Sequence, residues 1–128
     1  MITGYVFDTT ALVNFVTGAG IYTRAAVRAA IADQGTIVVP SAVLAAGWRS
    51  VPEPARKVLD RVSSMEVFHV DDLDDVIAQQ VGLLTAGTDL GVDEGQAAWS
   101  ARIRQWPLVT ARGDRYAGIT RLTIDQIP

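Results

Sequence analysis

Apolar residues along the chain alternate between two spacings. Residues 2–7 form a short, nearly unbroken apolar run that Asp8 closes. Such a run suits a strand buried on both faces. From Leu12 the spacing becomes helical, with Leu12, Phe15 and Val16 at i, i+3 and i+4, until Gly18 and Gly20 stop it. Residues 22–34 predict a second helix with Val27, Ala30 and Ile31 on one face, ended by Gly35. "TIVVP" is β-branched and reads as a second strand. Pro40 and Ser41 open another helix, with Leu44, Trp48 and Val51 as its apolar stripe. "VPEPARKVLDRVSS" places prolines where a first helical turn tolerates them, and Val58, Leu59 and Val62 follow as a face.

The second half repeats the alternation. "MEVFHV" predicts a third strand and "DDLDDVIAQQVGLL" a helix. Its aspartates would complement the dipole in the first turns, and Leu73, Val76, Ile77, Val81 and Leu84 would face inward. Residues 87–91 read as a loop. A helix from about Asp93 carries Trp99, Ile103 and Trp106 on one stripe; "PLVTA" and "TRLTI" then predict strands four and five. Strands alternating with helices imply an α/β sandwich around a mostly parallel sheet, within one domain over residues 1–128. In such sheets, sites gather beyond the carboxyl ends of the strands, which is where Asp8 falls.

Composition narrows the chemistry. Of 128 residues, 49% are hydrophobic and 20% charged, a globular balance. With no cysteine there is no thiolate nucleophile and no cysteine zinc site. No apolar stretch approaches the roughly 20 residues that span a bilayer. No signal-peptide pattern opens the chain, so the expected location is the cytoplasm. The formal charge of −3 argues against binding nucleic acid by bulk charge, so such a role needs a local basic patch. Every basic residue except Lys57 is arginine.

A buried, unpaired carboxylate is costly, so Asp8 must be a helix cap, an ion-pair partner or a site residue. Asp93, in "GVDEGQAAW", opens a later helix, with Glu94 beside it. Thr110 closes the fourth strand and Asp114 follows in a Gly-bounded turn. Three aspartates near one sheet edge repel unless a cation joins them. Mg²⁺ or Mn²⁺ with oxygen ligands could do so and could activate water for phosphodiester hydrolysis. His69, the only histidine, has no histidine or cysteine partner and reads as structural, while the tryptophans at 48, 99 and 106 read as core. No "GxSxG" turn supports a serine triad, and "GAG" at 18–20 lacks the Gly-Lys-Ser/Thr of a phosphate loop.

The order "YVFDTTALVNF", "VVPSAVLAAGWR", "GVDEGQAAW", "PLVTARGDRY" resembles the PIN-domain family, above all the VapC-like toxin ribonucleases of toxin–antitoxin modules. The resemblance implies a three-layer α/β/α fold and RNA cleavage with Mg²⁺ or Mn²⁺ held by a set of acids. The first acid of that pattern matches Asp8, the third Asp93, and the threonine before the last acid Thr110. Two positions depart: the second acid is Ala46 and the fourth Arg112. On this basis Asp8 and Asp93 are the expected metal ligands, Asp114 a substitute acid, and Thr10 and Thr110 orienting hydroxyls. Arg112 and Arg115 are the expected RNA contacts, with Arg112 alternatively sealing the acidic pocket. Glu94 is a second compensating acid. RNA, a small antitoxin and a second copy of the chain are the implied partners. Two competing classes are a non-catalytic PIN-like binding protein and a haloacid-dehalogenase-like phosphatase. The latter's second aspartate would stand at Thr10.

Overall fold

A computed structural model describes residues 3–128. Its five strands are β1 (Gly4–Phe7), β2 (Thr36–Pro40), β3 (Phe68–Asp71), β4 (Leu108–Thr110) and β5 (Ile124–Gln126). Six helices complete the chain: α1 (Thr9–Thr17), α2 (Ile21–Ala32), α3 (Ser41–Ser50), α4 (Glu53–Val62), α5 (Asp75–Thr85) and α6 (Val92–Arg104). All strand pairs are parallel, in the order β3-β2-β1-β4-β5, and the helices flank this sheet as the outer layers of an α/β/α sandwich.

The order decides where a site can form. The chain moves outward from β1 to β2 and β3, then returns to lay β4 on the other side of β1. The crossovers therefore diverge between β1 and β4, which leaves a crevice at their carboxyl ends. Asp8 and Thr110 stand there. Val6, Phe7, Ile37, Val38, Val39, Leu108 and Val109 are fully buried around it, as the unbroken apolar runs require.

Several expected helix faces are turned from their predicted direction. Val43 and Gly47 are the buried residues of α3, while Trp48 is 40% exposed. In α5 only Val81 is buried, and Val76 and Leu83 face outward. In α6 the inward face is Gly95, Gln96, Ala97, Ala98, Ser100 and Ala101, so Ile103 is exposed and Trp99 and Trp106 lie half-buried. Small residues let α6 approach its neighbours closely: a side chain at Gly95 would meet Val81 and Thr85 of α5 at 2.9 Å. The large apolar residues lie off the buried stripe because size, not hydrophobicity, limits this contact. The aspartates before α5 also divide their roles. Asp71 ends β3, Asp74 caps α5 by accepting from Ile77 N at 2.8 Å, and only Asp75 lies in the first turn. The last strand is Ile124–Gln126, later than "TRLTI"; Ile2 of the predicted first strand lies outside the described residues.

Gly4 sits where β1 meets β2, paired with Thr36. A Cβ there would overlap the Trp106 ring and lie 2.6 Å from the Thr36 carbonyl oxygen. Gly4→Ala is therefore expected to lower stability by about 2 kcal/mol, because backbone cannot yield as a side chain can. Urea denaturation of the two proteins checks it; equal midpoints contradict the packing.

Candidate functional site

Asp8 is 2% exposed and caps α1. Its backbone N–H donates to Val109 O at 3.3 Å, which ties the end of β1 to β4. One carboxylate oxygen, Oδ1, caps α1 by accepting from Ala11 N at 3.0 Å and also accepts from Thr10 Oγ1 at 2.6 Å. The other, Oδ2, accepts from the Tyr116 hydroxyl at 2.8 Å. The cap uses one oxygen and the phenol the other, so the buried carboxylate is hydrogen-bonded on both.

Thr9 and Thr10 place two acids side by side. Thr10 reaches Asp8, while Thr9 Oγ1 donates to Asp93 Oδ2 at 2.6 Å from the first turn of α6. Thr10 Oγ1 also accepts from Ala111 N at 2.8 Å. Its single proton is spent on Asp8, so the 3.4 Å contact with Thr110 Oγ1 is donated by Thr110, which itself accepts from Arg112 N at 2.9 Å. Asp8, Asp93, Thr10 and Thr110 thus come together at the crevice.

The remaining acids and arginines fall differently. Glu94 accepts a fork from Arg115, at 2.8 Å from Nε and 2.7 Å from Nη2, and accepts from Gly91 N at 2.9 Å. Arg115 also bonds Asp89 through its side chain at 3.2 Å. These Arg115 bonds hold the Glu94 carboxyl below its usual range, against an opposing effect of burial. Tyr116 is buried. Burial first, then the charge and hydrogen bond of Asp8, with lesser effects of Glu94 and Asp93, raise its pKa far above that of a free phenol. It therefore stays protonated and donates.

Arg112 does not seal the pocket. Its side chain is 60% exposed, and its ion pair is a 3.9 Å contact with Asp114, whose side chain is 81% exposed. Asp114 does not face Asp8 either. The short 3-10 turn Gly113–Tyr116 explains both. Gly113 N is fastened to Gln126 Oε1 at 2.8 Å, and the turn carries residues 112–114 outward while returning 115 and 116 to the acids. Tyr116 has no role that the sequence assigns; an aromatic just beyond a strand end is the signal available there.

A second buried acid lies away from the crevice. Asp71 accepts both arms of Arg104 at 2.6 Å and the Ser100 hydroxyl at 2.8 Å, and His69 Nε2 lies 3.2 Å from its other face. His69 is thus an exposed neighbour of an ion pair. Gln96, fully buried in α6, accepts from Ala42 N and donates to Asp71 O, each at 2.9 Å, and so binds α3 and β3 to α6.

A multi-carboxylate metal centre does not fit these residues. Arg112 and Asp114 turn away, both oxygens of Asp8 already accept protein donors, and Glu94 is paired with Arg115. Among the described residues no three acidic or histidine side chains converge closely enough to hold a metal ion.

No protein-family model matches the chain, and no curated protein matches it in sequence. Solved structures do. A chain of VapBC2 from Rickettsia felis, in a complex bound to a DNA fragment from its promoter, aligns with a TM-score of 0.75 at 19% identity, over 98% of this chain and 100% of that one. VapC20 of Mycobacterium tuberculosis, a toxin that cleaves the Sarcin-Ricin loop, aligns with a TM-score of 0.66 at 13% identity, over 93% of this chain and 98% of that one.

Proposed function

We propose that this chain, whose fold is that of a VapC-like PIN domain, is a toxin-type protein with a degenerate ribonuclease centre, retained for binding a partner. The observation that carries the reading is the state of the crevice. Asp8 and Asp93 stand where the resemblance puts the first and third acids, and Thr10 and Thr9 respectively hydrogen-bond them. The second acid is Ala46, and Arg112 at the fourth position points to solvent. Two aspartates that already accept protein hydrogen bonds are a poor match for Mg²⁺, which dehydrates reluctantly.

The partner favoured by the fold is a small antitoxin protein, because the Rickettsia felis neighbour was solved as a VapBC complex. A homodimer is proposed on the same plan. Contact with RNA phosphate is left to Arg112, since Arg115 is committed to Glu94 and Asp89. The phosphatase alternative loses support at Thr10, whose hydroxyl holds Asp8 and Ala111 N where that class needs a second aspartate. No helix among the described residues is long and apolar enough to cross a membrane.

The test is incubation of the purified chain with a mixed RNA pool in Mg²⁺ and in Mn²⁺. The expected result is no cleavage above a metal-free control. Robust metal-dependent cleavage that Asp8→Asn abolishes would show a working nuclease and overturn the degenerate reading.

A further inference from the structure

The turn after β4 returns two consecutive side chains across the acidic crevice. The Tyr116 hydroxyl takes Asp8 Oδ2, and the Arg115 guanidinium takes both oxygens of Glu94. From these contacts we propose that Arg115 and Tyr116 form an internal plug that occupies the acidic pocket and excludes divalent cations from it. The inference rests on the degenerate-centre reading and names the residues that keep the centre closed.

The physical case has three parts. A cation needs carboxylate lone pairs that are free and face it, and protein donors take three of the roughly four lone-pair sites of Asp8: both on Oδ1 and one, by the phenol, on Oδ2. Tyr116 is buried and its hydroxyl donates to Asp8 Oδ2, so it places a hydrogen where a metal would otherwise sit against the oxygen. Arg115 adds a fixed positive charge in a two-armed pair that Lys could not copy.

The plug is also anchored. Gln126 Oε1 accepts from Gly113 N, and its Nε2 donates to Ala111 O, both at 2.8 Å. Ile119 N donates to Tyr116 O at 3.0 Å, which fixes the far end of the turn. A cation entering at Asp8 Oδ2 would have to displace the buried Tyr116 hydroxyl, while Arg115, partly open to solvent, opposes it chiefly by its charge.

The experiment is Mn²⁺ titration of the full chain by calorimetry, with thermal unfolding in parallel. The natural protein is compared with Tyr116→Phe and with Tyr116→Phe combined with Arg115→Gln. The double variant is expected to bind Mn²⁺ at least about tenfold more tightly than the natural protein, and addition of Asp8→Asn should remove that gain. Equal affinity in the natural and double-variant proteins, or a gain that survives Asp8→Asn, overturns the plug. Circular dichroism establishes that each variant is folded. If the double variant is not, Tyr116→Phe decides alone, because it keeps the ring and removes only the hydroxyl. A gain of about threefold then supports the plug, and no gain overturns it. RNA cleavage by the natural protein is a separate readout: it strikes the degenerate-centre reading, while the Mn²⁺ series strikes the plug.

Discussion

Gln96→Leu is expected to lower the unfolding free energy by about 3 kcal/mol, although leucine nearly matches the shape. Gln96 is fully buried. Its Oε1 accepts the Ala42 N–H near the start of α3, and its Nε2 donates to the Asp71 carbonyl at the end of β3. Leucine makes neither bond and admits no water. An unpaired buried backbone group costs roughly 1–3 kcal/mol; this substitution leaves the buried Asp71 carbonyl without Gln96 and the partly buried Ala42 N–H likewise. Guanidinium denaturation with an unchanged slope would register the loss as a lower midpoint. A midpoint within error of the natural protein would mean that the two groups find other partners, and that Gln96 does not hold α3 and β3 to α6.

The second large effect is at Asp71. Arg104→Ala is expected to cost about 2–3 kcal/mol at neutral pH, because it strips a buried carboxylate of a bidentate partner. Arg104 is partly exposed, at 26% of its side chain, so the loss falls below that of a fully buried pair. Burial pushes the Asp71 pKa up, but the hydrogen bonds of Arg104 and Ser100 and the charge of Arg104 outweigh it, and the pKa lies below the ordinary value of 3.8. The sign follows from linkage. A folded pKa depressed below the unfolded one gives stability that is fully present above the unfolded value and is lost as pH falls through the folded one. The natural protein should therefore keep this contribution at neutral pH and lose it progressively below about pH 4. The deficit of Arg104→Ala should narrow over the same acid range. Urea midpoints measured from pH 7 to pH 3 check both statements; a deficit independent of pH would show that Arg104 acts by packing alone.

Asp8 illustrates what local sequence can reveal. A carboxylate at the seam of a strand and a helix has few options, and the cap was legible from the spacing of "YVFDTTALVNF". Asp93 at a helix start and Thr110 at a strand end were legible for the same reason: each ends or opens an element whose period is visible in the chain. The strand–helix alternation likewise implied the parallel sheet. The helix faces were less legible. Trp48, Val76 and Ile103 follow apolar spacing yet stand exposed, because α3 and α6 bury Gly47, Gly95 and a run of alanines where close approach outweighs hydrophobic bulk.

The roles of Arg112, Asp114, Arg115 and Tyr116 were not legible at all. They are neighbours in sequence, and which pair faces the acids depends on how one turn is fastened to Gln126 at the far end of the sheet. The sequence by itself determined the alternation of elements and the places of Asp8, Asp93 and Thr110 at their ends. Only the tertiary structure decided what those acids touch. The donor to Asp8 Oδ2 comes from a residue 108 positions away. The partner of Asp71 comes from one 33 positions away. A helix or strand period is written in local spacing, but a buried charge is settled by whichever distant side chain the packing brings within hydrogen-bond reach.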